Sequence, residues 1–250
     1  MTRPRRRSLP AAGVLLAACA FQPAPAGAAP AEAGAGFTPA LEVADTPTAS
    51  TLFARMFHLN FRFFRGGGIV TRATAAFNNS LQLGAAFKAN NVVGSGRVTF
   101  DPQPEQVVAV VAKIRVLNMA GQRIQIAAGY DGMAYDVTRK RGVFGVLSKE
   151  LSPGDFIFRA HAGVGAVRFR TAPTASTPGP LANLFAGVTG SLSEELHLGL
   201  EYDDMRWQDG SFNAMVAYAW DVGLRIEVDF KSLFRGLPAH HRVLKIQYTF

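Results

Sequence analysis

The last ten residues of the chain, 241–250, constrain the fold most, because their side chains alternate in character from one residue to the next. The apolar side chains on one parity are Leu244, Ile246, Tyr248 and Phe250. Successive side chains of a β-strand point to opposite faces, so a period of two residues indicates a strand. The chain is therefore expected to end in a strand with one apolar face and one mostly polar face.

The aromatic C-terminus adds a second constraint. An alternating terminal strand that ends in Phe resembles the strand that bacterial outer-membrane β-barrels present to their assembly machinery. Tyr248 and Phe250 are therefore candidates for barrel closure and for the assembly signal. Soluble β-sandwiches also contain alternating strands, so the terminal strand alone leaves both folds open.

The same period recurs along most of the chain. Charges at every second position, as in 224–231, would be spread around a helix and would leave it without an apolar face. The pattern therefore predicts strands rather than helices. The predicted strands before the terminal one are 56–64, 69–77, 81–88, 107–117, 123–130, 142–148, 156–169, 184–192, 196–203, 212–220 and 224–231.

The connections between these strands alternate between short and long. The short ones are 78–80, 118–122, 149–155, 193–195 and 221–223, and nearly all of the others are longer. This alternation is typical of outer-membrane barrels, with short turns on one side and long loops on the other, and is not expected of a sandwich. The sequence therefore predicts an antiparallel transmembrane β-barrel of about 12 strands, of the outer-membrane type, over 56–250.

Composition excludes two other classes of protein. No uninterrupted apolar run approaches the ~18 residues that a membrane-spanning helix needs. Four of the 26 basic residues lie at positions 3–7, and the remaining 22 exceed the 18 acidic residues only slightly. A bias of this size does not indicate nucleic-acid binding.

The N-terminus predicts export. Residues 1–28 combine a basic start, an apolar stretch at 11–21 and a small-residue cleavage site ending at Ala28, as a signal peptide does. An alternative is a lipoprotein signal, in which Cys19 is lipidated and becomes the first mature residue. The following residues, 29–55, are rich in Ala and Pro and predict a disordered periplasmic segment.

The parity opposite the apolar side chains should face the lumen of the barrel. Opposite charges inside a narrow barrel most often pair with one another, and a selective pore lining or a ligand site are the alternatives. The predicted lumen-lining residues are Arg62, Arg72, Lys88, Lys113, Arg115, Arg159, Glu201, Asp203, Arg225, Glu227, Asp229 and Lys245.

Three histidines share this inward parity: His58, His161 and His197. No serine among them forms a recognisable nucleophile motif, and their spacing is not that of a metal site. The sequence therefore predicts no catalytic residue, no cofactor and no metal.

Several short motifs resemble the middle of the YjbH-like outer-membrane proteins. They are AGYDG at 128–132, GVFGVLSK at 142–149, FAGV at 185–188 and LGLEYD at 198–203. The resemblance implies an association with exopolysaccharide production. The larger members of that family are longer than this chain, and no catalytic residue can be transferred from them.

These observations favour a monomeric, non-enzymatic barrel of the bacterial outer membrane, associated with exopolysaccharide production or export or acting as a narrow channel. The expected partners are outer-membrane lipid, the barrel-assembly machinery and a polysaccharide. A lipid-modifying enzyme of the outer membrane, or a structural or adhesive barrel that displays its outer loops, is the alternative. The same lumen residues would suit an open pore or a plugged one.

Overall fold

The computed structural model describes residues 40–250 apart from 65, 95–97, 101–107, 134–138, 141, 153–156, 170–180, 204–210 and 235–240. The predicted signal peptide, Cys19 and the first part of the segment predicted at 29–55 therefore lie outside the described residues. The strands are β1 (Phe57–Phe64), β2 (Gly68–Ala76), β3 (Leu81–Asn90), β4 (Thr99–Phe100), β5 (Val108–Met119), β6 (Ile124–Asp131), β7 (Arg139–Lys140), β8 (Gly142–Leu151), β9 (Ile157–Phe169), β10 (Leu181–Ser191), β11 (Leu196–Asp203), β12 (Ser211–Ala219), β13 (Leu224–Lys231) and β14 (His241–Thr249).

Twelve of these strands form one closed antiparallel barrel. Each barrel strand pairs with its neighbours in the chain, and β14 pairs with β1 to close the sheet. The two-residue strands β4 and β7 only extend the ladders at the ends of β3 and β9. The predicted outer-membrane type of barrel is confirmed, and its twelve strands lie close to the predicted positions.

The two faces of the barrel differ as the alternation predicts. Along β13 the buried side chains are Arg225, Glu227, Asp229 and Lys231, and the intervening apolar side chains are partly exposed. Large apolar side chains such as Val108, Val110 and Leu200 are exposed on the outside. A strand that turns its charges inward and its apolar side chains outward suits a lipid environment.

Aromatic pairs lie near both ends of the barrel. Tyr218 and Trp220 are in edge contact at the short-turn end, with ring centroids 4.6 Å apart. Tyr202 and Phe212 pack at the long-loop end, with centroids 4.8 Å apart. Amphipathic rings at these two levels fit the interfaces between lipid and water.

The short turns have local causes. The Asn78 side chain accepts hydrogen bonds from the backbone N–H groups of Ser80 and Leu81, both at 2.8 Å, which closes the turn between β2 and β3. Gly223, in the turn before β13, has a φ of +80°, and a Cβ there would lie 2.1 Å from the Thr249 carbonyl oxygen. Only glycine fits that position.

Residues 40–52 occupy the lumen and are called the plug below. The sequence predicts a disordered periplasmic segment over 29–55. In the structure, however, nearly all of residues 40–52 are buried. The chain then reaches the short turns, where the Thr51 hydroxyl donates to the Asn79 carbonyl at 2.7 Å and the Ala54 N–H donates to Asn79 Oδ1 at 2.8 Å. Strand β1 begins at Phe57. Among the described residues, no helix is long and apolar enough to cross a membrane.

Candidate functional site: a charged lumen closed by the plug

The plug is a tight turn inside the barrel. The Val43 N–H donates to the Thr46 carbonyl at 2.9 Å, and the Thr48 N–H donates to the Leu41 carbonyl at 3.1 Å. The turn therefore satisfies part of its own backbone and leaves its remaining polar groups to the wall. Buried backbone groups without partners are costly, so the wall contacts decide whether the turn can stay there.

Glu42 is held by two arginines from neighbouring strands. Arg62 on β1 binds Oε2 and Arg72 on β2 binds Oε1. Arg72 also contacts Asp131 Oδ2 at 3.2 Å and donates to the Met133 carbonyl at 2.6 Å. Burial alone would raise the pKa of Glu42, but the charges of Arg62 and Arg72 outweigh it and lower this pKa from 4.5 to about 2.

Asp45 is bound by two further groups of the wall. Its carboxylate contacts Arg62 Nη1 at 3.1 Å and Lys231 Nζ. Burial opposes ionisation, but Lys231 and Arg62 overcome it and hold the pKa of Asp45 well below its usual range. Both carboxylates of the plug are therefore ionised and paired with cations of the wall.

Glu201 on β11 also binds the plug, but here the wall supplies the carboxylate and the plug supplies the hydrogen-bond donors. Its carboxylate accepts the backbone N–H groups of Asp45 and Thr46 at 2.9 Å and the Thr46 hydroxyl at 2.8 Å. Asn213 donates to the same carboxylate at 2.7 Å. A wall carboxylate thus satisfies the backbone donors at the tip of the turn.

Other polar groups of the wall hold the rest of the plug backbone. Lys113 Nζ donates to the carbonyls of Leu41 and Thr48 at 3.3 Å, and Lys245 Nζ donates to the Ala44 carbonyl. The Ser148 hydroxyl and the Gln82 side chain accept plug N–H groups at 2.8 and 3.2 Å. The contacts come from strands around most of the lumen, so the plug is anchored across it.

Apolar contacts complete the fit. Val43 and Ala44 pack with Met215 and Ala217 of β12. A Cβ at Gly199 would lie 2.8 Å from Met215 Cε and 3.1 Å from a Val43 methyl group, so the glycine provides space for both side chains. On the opposite wall, Ala49 packs in a cluster with Ala127, Phe144, Val146 and Phe185.

The structure places most of the predicted lumen-lining residues in the interior. Arg115 and Arg159 are only half buried and lie near the short turns, where Arg115 donates to the Asn79 carbonyl at 2.6 Å and Arg159 binds Glu150 at 2.7 Å. The buried ones are Arg62, Arg72, Lys88, Lys113, Glu201, Asp203, Arg225, Glu227, Asp229 and Lys245. Sequence analysis missed Lys231 and Asp131, although both continue the inward parity of their strands.

The inward histidines bind hydroxyl groups. His161 Nδ1 lies 2.7 Å from Ser148 Oγ, and its Nε2 lies 3.3 Å from Thr189 Oγ1. Sequence analysis missed this serine, which the register places directly opposite His161. Both ring nitrogens face hydroxyls rather than an orienting carboxylate, and Ser148 already accepts the Ala49 N–H of the plug. The pair therefore lacks the arrangement of a nucleophile and its base.

A small cavity with both polar and apolar lining remains between the plug and the wall. It is bordered by Glu42 of the plug and, among others, by His58, Asn60, Arg72, Thr74, Gln82 and Lys113 of the wall. Within the described part of the chain, Asn60 Oδ1, Thr74 Oγ1 and Arg72 Nε are buried without a hydrogen-bond partner. No cluster of three or more metal-ligating side chains occurs among the described residues.

The fold and the lumen define a twelve-stranded β-barrel of the outer-membrane type with an internal plug. The KdgM porin, solved alone and in complex with disordered oligogalacturonate, has a TM-score of 0.51 and 15% identity to this chain, and the match covers 78% of this chain and 99% of KdgM. Outer membrane protein Omp33 of Acinetobacter baumannii has a TM-score of 0.43 and 10% identity, with 78% and 96% covered. No family model and no curated protein matches the chain, so the resemblance to YjbH-like proteins is not confirmed.

Proposed function

We propose that this protein is a non-enzymatic channel of the bacterial outer membrane, whose lumen is closed at rest by the plug and which passes anionic solutes when the plug leaves. The observation that carries the proposal is that the barrel closes without the plug. The seam between β14 and β1 and the pairing of β9 with β10 are backbone ladders in which no plug residue takes part. The plug can therefore move while every strand keeps its partners.

The formal charges of the lumen support anion passage. Among the strand residues whose burial the structure describes, the buried cations are Arg62, Arg72, Lys88, Lys113, Arg225, Lys231 and Lys245, and the buried carboxylates are Asp131, Glu201, Asp203, Glu227 and Asp229. The two carboxylates of the plug, Glu42 and Asp45, balance this excess of two cations. A lumen without its plug would therefore be positive and would concentrate anions.

Acidic polysaccharide fragments are the solute class that two lines of reasoning favour. The YjbH-like motifs imply an association with exopolysaccharide, and the similarly folded KdgM porin was solved with an oligogalacturonate. In this proposal the chain is a monomer, inserted by the barrel-assembly machinery through its terminal strand.

Planar-bilayer recordings test the channel. The full chain should rarely conduct, whereas Glu42→Gln with Asp45→Asn should open frequently and favour anions, because the amides no longer pair with Arg62, Arg72 and Lys231. Glu194→Gln with Glu195→Gln, in the exposed turn after β10, is the matched control and should remain closed. A silent plug variant, or one that favours cations, would contradict the proposal.

A further inference from the structure

Glu42 occupies a receptor for a carboxylate. Each of its oxygens is bound by a different guanidinium, from Arg62 on β1 and Arg72 on β2. Guanidinium groups have planar donor sets that match the geometry of a carboxylate. These two are attached to paired strands of a closed barrel, so the backbone that carries them does not depend on the plug.

A second carboxylate position lies beside the first. Asp45 Oδ1 contacts the other terminal nitrogen of Arg62 at 3.1 Å, and Lys231 binds Asp45 Oδ2. Arg62 is thus shared between the two positions. A solute with two neighbouring carboxylates could use both.

The cavity between the plug and the wall adjoins the first position. Glu42 and Arg72 border it, and it also contains the unpaired Asn60 Oδ1, Thr74 Oγ1 and Arg72 Nε. These atoms need both donors and acceptors. A hydroxyl group supplies one donor and two acceptor sites, so hydroxyls next to a carboxylate would satisfy them.

We infer that Arg62, Arg72 and Lys231, with Asn60 and Thr74, form a binding site for hydroxylated carboxylates of the uronic acid type, and that Glu42 and Asp45 occupy its carboxylate positions while the plug is in place. The inference rests on the proposed function, because the plug must leave before a solute can enter. Buried cations that lose their counter-charges are unfavourable. An acidic sugar would restore the ion pairs that the plug gives up.

The test uses full-length protein in detergent, with trigalacturonate as the probe and maltotriose as a neutral sugar of the same length. Glu42→Gln with Asp45→Asn should bind trigalacturonate by calorimetry and should not bind maltotriose. Adding Arg72→Gln should weaken trigalacturonate binding about tenfold or more, since a charge-assisted hydrogen bond is lost. Adding Arg159→Gln instead should not, because Arg159 pairs with Glu150 near the short turns.

The outcomes separate this inference from the channel. Equal binding of the two sugars, or equal effects of Arg72→Gln and Arg159→Gln, would overturn the site even in a variant that conducts. Selective binding by a variant that never conducts would support the site and count against the channel. If the double variant lacks the compact band of a folded barrel on an unheated gel, Glu42→Gln alone replaces it in the binding experiment, because this variant keeps Asp45.

Discussion

Lys245 of β14 and Glu227 of β13 stand directly opposite each other in the barrel wall and form a completely buried ion pair. Lys245 Nζ lies 2.5 Å from Glu227 Oε1 and 2.9 Å from Asp229 Oδ2, and it also donates to the Ala44 carbonyl of the plug. One ammonium group therefore joins two wall carboxylates to the plug. Its removal should affect both the wall and the closure of the lumen.

Lys245→Met should destabilise the barrel strongly. The substitution leaves Glu227 and Asp229 close together with less compensating charge, and breaking a buried ion pair typically costs about 3–5 kcal/mol. Urea unfolding in detergent micelles, followed by the loss of the compact gel band, measures the change.

Lys149→Met is the matched control for this prediction, because Lys149 is exposed near the C-terminal end of β8. It should change stability little. If Glu227→Gln were added to Lys245→Met and restored none of the stability, the loss would not be due to uncompensated carboxylates.

Acid should release the plug through Glu42, which lies outside the membrane-spanning strands. Burial raises its pKa, but Arg62, Arg72 and Lys245 together outweigh burial and the repulsion from Asp45, and the pKa falls from 4.5 to about 2. A carboxyl group whose pKa is lowered in the bound state contributes its full stabilisation above 4.5, and the contribution is lost as the pH falls towards 2. The shift corresponds to roughly 3 kcal/mol.

Opening frequency in planar bilayers measures this release. It should stay constant from about pH 7 down to about pH 5 and should rise only below that range, since the released carboxyl group takes up its proton there. Glu42→Gln has no proton to gain at this position, so its opening frequency should be higher at neutral pH and should rise less in acid. An equal rise in both proteins would assign the effect to other groups.

The barrel could be predicted from the sequence because its two faces require opposite chemistry. In β13 the period of two residues fixes which side chains face lipid and which face the lumen, and a slip of one residue would exchange them all. Closure between β14 and β1 follows from the cost of an unpaired edge in hydrocarbon. The pairing of Ser148 with His161 depends on a register that the predicted strands 142–148 and 156–169 do not give, because β8 continues to Leu151.

The plug could not be predicted, because its burial depends on residues far away in the chain. Its own composition, rich in Ala and Thr with few large apolar groups, is also that of a disordered segment. The ion pair of Asp45 with Lys231 joins positions 186 residues apart, and no local pattern indicates it. Glu42 and Asp45 become informative only once the wall cations that face them are known.

The final strand should be indispensable for the barrel, and its last residue should matter mainly for assembly. β14 is paired with both β1 and β13, so deleting residues 241–250 would leave two strands with open edges in hydrocarbon, at several kcal/mol for each unpaired group by order of magnitude. Phe250 contributes less: it exchanges two backbone hydrogen bonds with Phe57, at 2.8 and 3.0 Å, and stacks on its ring at 5.7 Å.

Unheated gels of membranes from cells that make each form compare these contributions. The compact band should be absent after deletion of 241–250 and reduced after deletion of Phe250. Phe57→Ala removes the same ring contact and keeps the aromatic C-terminus, so it should assemble faster than the Phe250 deletion if the terminal Phe is an assembly signal. Equal defects in these two variants would reduce the role of Phe250 to packing at the seam, and a normal compact band from the ten-residue truncation would contradict the requirement for β14.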